Sequence, residues 1–322
     1  MREPHAITAT HHNQNFQARN YMLSTSLLAP LSLVLAATIW GLVWYPYRLL
    51  EQAGLTGSVS SLLTYLIGLP FLLLLVARLP HSLRSIRNER GLLLALALSA
   101  GWTNLAYVLA VLHGEVMRVM LLFYLAPLWT VFFAYWLLGE RAGRAAFLVI
   151  GLSVAGAWFM LSESDGLPLP TNRAEWLGLT AGIGFALSNV LTRKIRAAPI
   201  ELRSLWVFAG VAGLAALNAL YQGENLHAVQ IIATLDGTSW LMVAGIGLSL
   251  LLATFTVQFG LARTPSNRAI VILLSELVVA AIASRYLAGE SMGLPEWIGG
   301  TMIIAATLFS GHLESGKEQK IV

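Results

Sequence analysis

The sequence predicts an all-α membrane protein, with ten transmembrane helices arranged as two inverted five-helix repeats. Three observations carry that expectation. Ten apolar segments, each about the length of a bilayer crossing, fill most of the 322 residues. The chain is 57% hydrophobic and only 11% charged, with a mean hydropathy of +0.71, which no ordinary soluble domain reaches. Basic residues collect in alternate gaps between the apolar segments.

The spans fall at residues 29–50, 59–78, 91–112, 117–138, 144–162, 175–194, 204–222, 238–262, 268–288 and 295–311. Backbone amides in lipid must be satisfied within a helix or a closed barrel. A barrel needs alternating strands, and runs such as Gly91 to Leu98 and Phe71 to Val76 do not alternate. Residues 1–28, with His11 and His12, are polar and lack the basic start and apolar run of a signal peptide. They are expected to be a cytoplasmic tail, as are residues 312–322. No cysteine is present, which excludes disulfides, thiolate nucleophiles and Cys-ligated metals.

With the N-terminus inside, 16 Lys and Arg residues face the cytoplasm. Only Arg48, Arg118, Arg173 and Arg285 face outside. Basic residues favour cytoplasmic loops, so both termini are expected there. The net charge of +4 is topological, since no surface domain exists to bind nucleic acid.

Five spans per half gives the halves opposite topology. Arg118 to Glu140 and Arg268 to Glu290 are blocks of equal length, offset by 150 residues, on the fourth span of each half. They end in Leu137-Leu138-Gly139-Glu140 and Leu287-Ala288-Gly289-Glu290. The halves are therefore set at 29–162 and 175–311. Inverted repeats mark many secondary transporters, with sites near the midplane where the repeats meet.

Further motifs add to these. They are the Trp40-Gly41 pair, the run Leu122-Phe123-Tyr124-Leu125-Ala126-Pro127, and Gly151 and Gly299-Gly300 after the two Gly-Glu endings. In order and spacing, from about residue 29 to 311, the chain resembles the EamA-type transporters of the drug/metabolite transporter superfamily. The resemblance implies transport of small metabolites, often export of amino acids or related compounds. It implies a central cavity lined by spans one, three, four, six, eight and nine, with five and ten at the periphery. The ninth span commonly reads Glu-Pro in that family and here reads Glu276-Leu277. No proline break is expected in span nine, whereas Pro127 supplies one in span four.

Glu276 is the sharpest candidate residue. An ionisable group at this depth costs about 2.5–3.5 kcal/mol on insertion scales and faces a cavity or a partner. Low dielectric favours a neutral carboxyl group, which suits proton coupling; a structural hydrogen bond is the competing role. Asn104 and Tyr107 share a face of span three. Gln258 on span eight and Asn189 on span six add polar groups that either contact substrate or hold helices together. Trp40 and Tyr124 lie deep enough to line a cavity. Arg118 either attracts an anionic group or snorkels to the interface. Pro127 is the candidate gating hinge. Gly178 and Gly182 form a Gly-x-x-x-Gly pattern that close helix packing explains.

Together these features predict a secondary transporter of small organic solutes by alternating access through a central cavity. The partners are a small-molecule substrate, a proton and the lipid bilayer. No metal and no cofactor is expected. The location is the plasma membrane, the inner membrane of a bacterium. The alternatives are a channel and a membrane-embedded enzyme. No Walker motif, His-Glu-x-x-His or Gly-x-Ser-x-Gly occurs. The lysines (Lys194, Lys317, Lys320) lie at or beyond span ends, which disfavours a retinal Schiff base.

Overall fold

Helices form all the regular secondary structure in the computed structural model, which describes residues 28–79, 82–140, 144–161, 169–261, 263–264, 269 and 272–318. Among these residues no strand occurs. Among the described residues, six helices are long and apolar enough to cross a bilayer: α1 (Leu28–Gln52), α2 (Gly57–Ala77), α3 (Glu89–His113), α4 (Val116–Leu138), α7 (Ile200–Tyr221) and α8 (Gly237–Leu261). The 21 residues of α2 rise about 30 Å, the hydrocarbon thickness.

The other expected spans are helical but depart from that profile, each for a visible reason. In α5 (Arg144–Leu161) and α10 (Leu294–Glu318) the apolar stretches are shorter, at Phe147–Phe159 and Leu294–Phe309. Charged residues occupy both ends of α6 (Arg173–Lys194). The ninth element, α9, runs as Ser275–Ala283 and then as a π-helical segment, Ser284–Ala288.

Two differences from the expected boundaries stand out. The last helix continues past residue 311 to Glu318, where a tail is expected to begin. A short helix, Asn225–Thr234, connects α7 to α8, too short to register as a span. The expected N-terminal tail lies almost wholly outside the described residues.

The helix ends are fixed by local chemistry. Thr56 caps α2, accepting from the Val59 amide at 3.3 Å, and Asn172 caps α6, accepting from the Glu175 amide at 2.9 Å. Asp236 caps α8 through the Ser239 amide at 2.9 Å, and these hydrogen bonds hold its carboxyl below the usual range. Gly139 and Gly289 end α4 and α9 in the left-handed region, at φ 69° and 70°. In both, the next residue's amide bonds six residues back at 3.2 Å, Glu140 to Ala134 and Glu290 to Ser284. The two Gly-Glu motifs thus share this closing bond, although α4 ends as an α-helix and α9 as a π-helix.

The packing sorts the helices into pairs. α3 packs on α6 and α7, α2 on α7 and α8, and α5 on α10. Small residues set the close crossings. A Cβ at Gly247 of α8 would strike the Thr64 carbonyl of α2. A Cβ at Gly101 of α3 would lie 2.7 Å from the Gly210 carbonyl carbon of α7, and one at Gly156 of α5 would lie 2.8 Å from the Gly299 carbonyl oxygen of α10. Polar clasps add to these: Asn218 of α7 donates to Ser58 of α2 at 2.6 Å, and Tyr47 of α1 shares a hydrogen bond with Thr64 of α2 at 2.8 Å.

The chain runs back and forth, so charged ends meet in two layers. One end holds Arg48, Arg118, Glu175, Glu290 and Glu296. The opposite end holds Glu140 with Arg193, and Glu89 accepting from the amides of Arg196, Ala197 and Ala198. Exposed Trp and Tyr side chains cluster at the Arg48 end: Trp158, Trp176, Tyr221, Trp240, Tyr286 and Trp297. Tyr135 and Trp136 are exposed at the other end.

Candidate transport site

The site forms where two interrupted helices meet. In α4 the regular helix stops at Phe123 and resumes at Ala126. Pro127 has no amide to give the Phe123 carbonyl, so the helix opens at Tyr124 and Leu125. Gly182 of α6 lies against that carbonyl and Gly178 lies against Val119. The Gly-x-x-x-Gly pattern therefore does pack closely, as read from its spacing.

The helix that leads into α9 is also interrupted, at Leu274 just before Ser275, with the Leu277 amide bonding only three residues back at 3.1 Å. A proline is not needed for this break: Leu277 stands at the position offset by 150 from Pro127. Nothing in the sequence announces an interruption without proline. The neighbouring backbone offers a reason, since a Cβ added at Gly41 of α1 would lie 2.8 Å from the Glu276 carbonyl oxygen.

At these breaks Tyr124 donates its hydroxyl to Glu276 Oε2 at 2.9 Å. Tyr107 is buried, lies within electrostatic reach of Glu276, and its hydroxyl has no hydrogen-bond partner among the described residues. Trp129 Nε1 and Ser275 Oγ are likewise buried without hydrogen-bond partners among the described residues. Orphaned buried donors of this kind are uncommon in proteins and mark places that another group can fill. Phe123 links the aromatics, with ring centroids 5.8 Å from Tyr107, 5.8 Å from Tyr124 and 5.1 Å from Phe185. Trp40, next to Gly41, packs against the large apolar core to which Tyr107 belongs.

The remaining candidates divide. Asn104 is engaged elsewhere, accepting from Tyr65 at 2.6 Å and donating to the Ala100 carbonyl at 2.8 Å. Gln258 is partly buried on α8. Asn189 is exposed on α6, one turn from Phe185. Arg118 is held between two carboxylates, with Nε 2.8 Å from Glu175 and Nη1 3.4 Å from Glu296. Glu175 is pinned further by the Thr171 amide at 2.8 Å and Asn172 Nδ2 at 2.9 Å.

Sequence reasoning named Phe123 only as part of the Leu122–Pro127 run, without its bridging role, and missed Phe185, because an aromatic on an apolar helix carries no signal of its own. It also missed Glu175 and Glu296 as partners of Arg118. A hollow of about 240 Å³ lies at the rim, between Leu55, Thr56, Glu224 and Ile231, and takes in none of the candidate residues.

Packed apolar helices of bilayer length, with a carboxylate held in the interior, define an integral membrane protein, and comparison with known proteins supplies the family. The EamA-like transporter family matches residues 27–162 and again residues 172–311, and the chain belongs to that family. An uncharacterized transporter of Archaeoglobus fulgidus is 26% identical over 73% of this chain and 82% of its own. The protein RarD of Streptomyces exfoliatus is 29% identical over 67% and 63%. An uncharacterized transporter of Pseudomonas aeruginosa is 22% identical over 88% and 85%. A crystal structure with 18% identity shares the fold at a TM-score of 0.53, over 88% of this chain and 97% of that one.

Proposed function

We propose that this membrane transporter is a secondary carrier of small organic metabolites, amino acids or related compounds, and that it exports them by alternating access. Ten crossings in two inverted halves, 29–162 and 175–311, bring α4 and α9 face to face, with both termini cytoplasmic in a bacterial inner membrane. The observation that carries the reading is the Tyr124–Glu276 hydrogen bond, which joins the interrupted helices at the expected repeat interface.

The pairing of helices supports the duplication. An exchange of each helix with the one five places on turns α3 on α6 into α8 on α1, and α3 on α7 into α8 on α2. Both partners of each exchange are in contact. The family matches twice, once per half. The two Gly-Glu endings share their closure, and both carboxylates pair with an arginine: Glu140 with Arg193 on α6, Glu290 with Arg48 on α1.

Glu276 exchanges a proton against substrate in this scheme, and Tyr124 steadies its carboxyl group between the two. Tyr107 and Trp129 offer donors to a bound solute. Pro127 and the Leu274 break let α4 and α9 bend at the site. Purified protein in proteoliposomes tests the proposal. A carrier gives saturable flux and counterflow of a labelled metabolite. Unsaturated ion current supports a channel instead, and chemical turnover an enzyme.

A further inference from the structure

A pair of opposite charges from α1 and α9 clamps the turn between α3 and α4. Arg48 Nε donates to the Val111 carbonyl at 2.8 Å, and its Nη2 donates to the Gly114 carbonyl at 2.7 Å. These carbonyls close the C-terminal end of α3. Glu290 accepts from the Val116 amide at 3.0 Å and the Met117 amide at 3.4 Å, the first amides of α4. The two side chains are 3.4 Å apart, and their exposures are only 21% and 15%. The Arg48 guanidinium also lies 4.9 Å over the Trp44 ring.

Each charge sits at the helix end whose dipole favours it: a cation on terminal carbonyls, an anion on initial amides. The free groups of helix ends are the only backbone groups that can be bound and released without unwinding a helix. The clamp runs between two sets of helices, each held together internally. α1 meets α9 at Gly41, and α4 meets α6 at Gly178 and Gly182. At the opposite end Glu140 pairs with Arg193, and Lys194 donates to the Leu137 carbonyl at 3.1 Å. Glu140 and Glu290 are the two offset Gly-Glu carboxylates.

We infer that Arg48 and Glu290 form a latch that closes one face of the transporter by gripping the α3–α4 turn. Glu140 and Arg193 are its counterpart on the other face, and the two release in turn. This rests on the alternating-access reading above. Opening needs no helix to unfold, because water replaces the latch at the freed carbonyls and amides.

The chain has no cysteine, so a single reporter thiol can be read directly. Ala280 is fully buried on α9, one turn from Glu276 towards the latch. The full-length Ala280→Cys protein in vesicles is treated with a membrane-impermeant maleimide from the Arg48 face. Glu290→Gln and Arg48→Lys are each expected to speed labelling about tenfold, the effect of losing one charge-assisted hydrogen bond. Arg193→Gln is expected not to speed it from this face. The double swap Arg48→Glu with Glu290→Arg is expected to stay open, because it sets each charge on the wrong helix end; a mere ion pair would be restored. Parent-like protection in both single variants would overturn the latch. So would loss of monodisperse protein in both, which would make the pair a folding element. Saturable flux with unchanged labelling would sink the latch alone and leave the carrier standing.

Discussion

Glu276 and Tyr124 come from helices far apart in the chain, and their 2.9 Å hydrogen bond is the kind of contact a substrate or proton can replace. Glu276→Gln keeps the shape and removes the titration. If the carboxyl carries a proton, flux of the variant loses its pH dependence. If it only contacts substrate, binding weakens at every pH. Unchanged binding, flux and pH profile would reduce Glu276 to packing. Arg118 makes a different prediction. Arg118→Ala leaves Glu175 and Glu296 facing each other without their shared cation, at a cost of about 3 kcal/mol. Thermal unfolding in detergent checks this, and an unchanged melting temperature would show that the arginine is dispensable. The depth of Glu276 was legible from its place in an apolar run. Its partner was not, since sequence gives no distance between α4 and α9. For the same reason the carboxylates beside Arg118 were invisible, and Asn104 could not be assigned to Tyr65.

Elements with strong hydropathy were read to within a few residues, as Gly57–Ala77 and Val116–Leu138 show. Composition alone sufficed there because burial in lipid leaves one choice for the backbone. Breaks were legible only where proline made them. Pro127 announced the opening at Tyr124 and Leu125, whereas nothing local announced the one at Leu274. The connecting helix Asn225–Thr234 escaped for want of length, and the π segment Ser284–Ala288 has no sequence signature. Helix contacts yield a paired prediction on α7. Gly210 meets the Ala97 backbone of α3, whereas a Cβ added at Gly213 would meet nothing within 4 Å. Gly210→Ala therefore forces the helices apart and is expected to cost about 1–3 kcal/mol. Gly213→Ala should gain up to about 1 kcal/mol of helix propensity. Melting temperatures that move in the same direction for both would refute the distinction.

Across the whole molecule the proposed orientation rests on the bias of 16 basic residues to 4. A reporter that folds only outside the cell, fused after Val322, is expected to be inactive; strong activity would reverse the topology. The same orientation has an optical consequence. Four of the exposed tryptophans, Trp158, Trp176, Trp240 and Trp297, ring the Arg48 end, and Trp136 stands at the other. Indole rings at a bilayer surface sit at headgroup depth, within reach of solutes in the water beyond. Iodide added only at the Arg48 face is therefore expected to quench intrinsic fluorescence more than iodide added only at the opposite face. Equal quenching from both faces would mean a scrambled preparation or a buried ring. The uneven belt turns the unlabelled protein into its own gauge of sidedness, by which the fraction of carriers inserted in each direction can be read before any flux is measured.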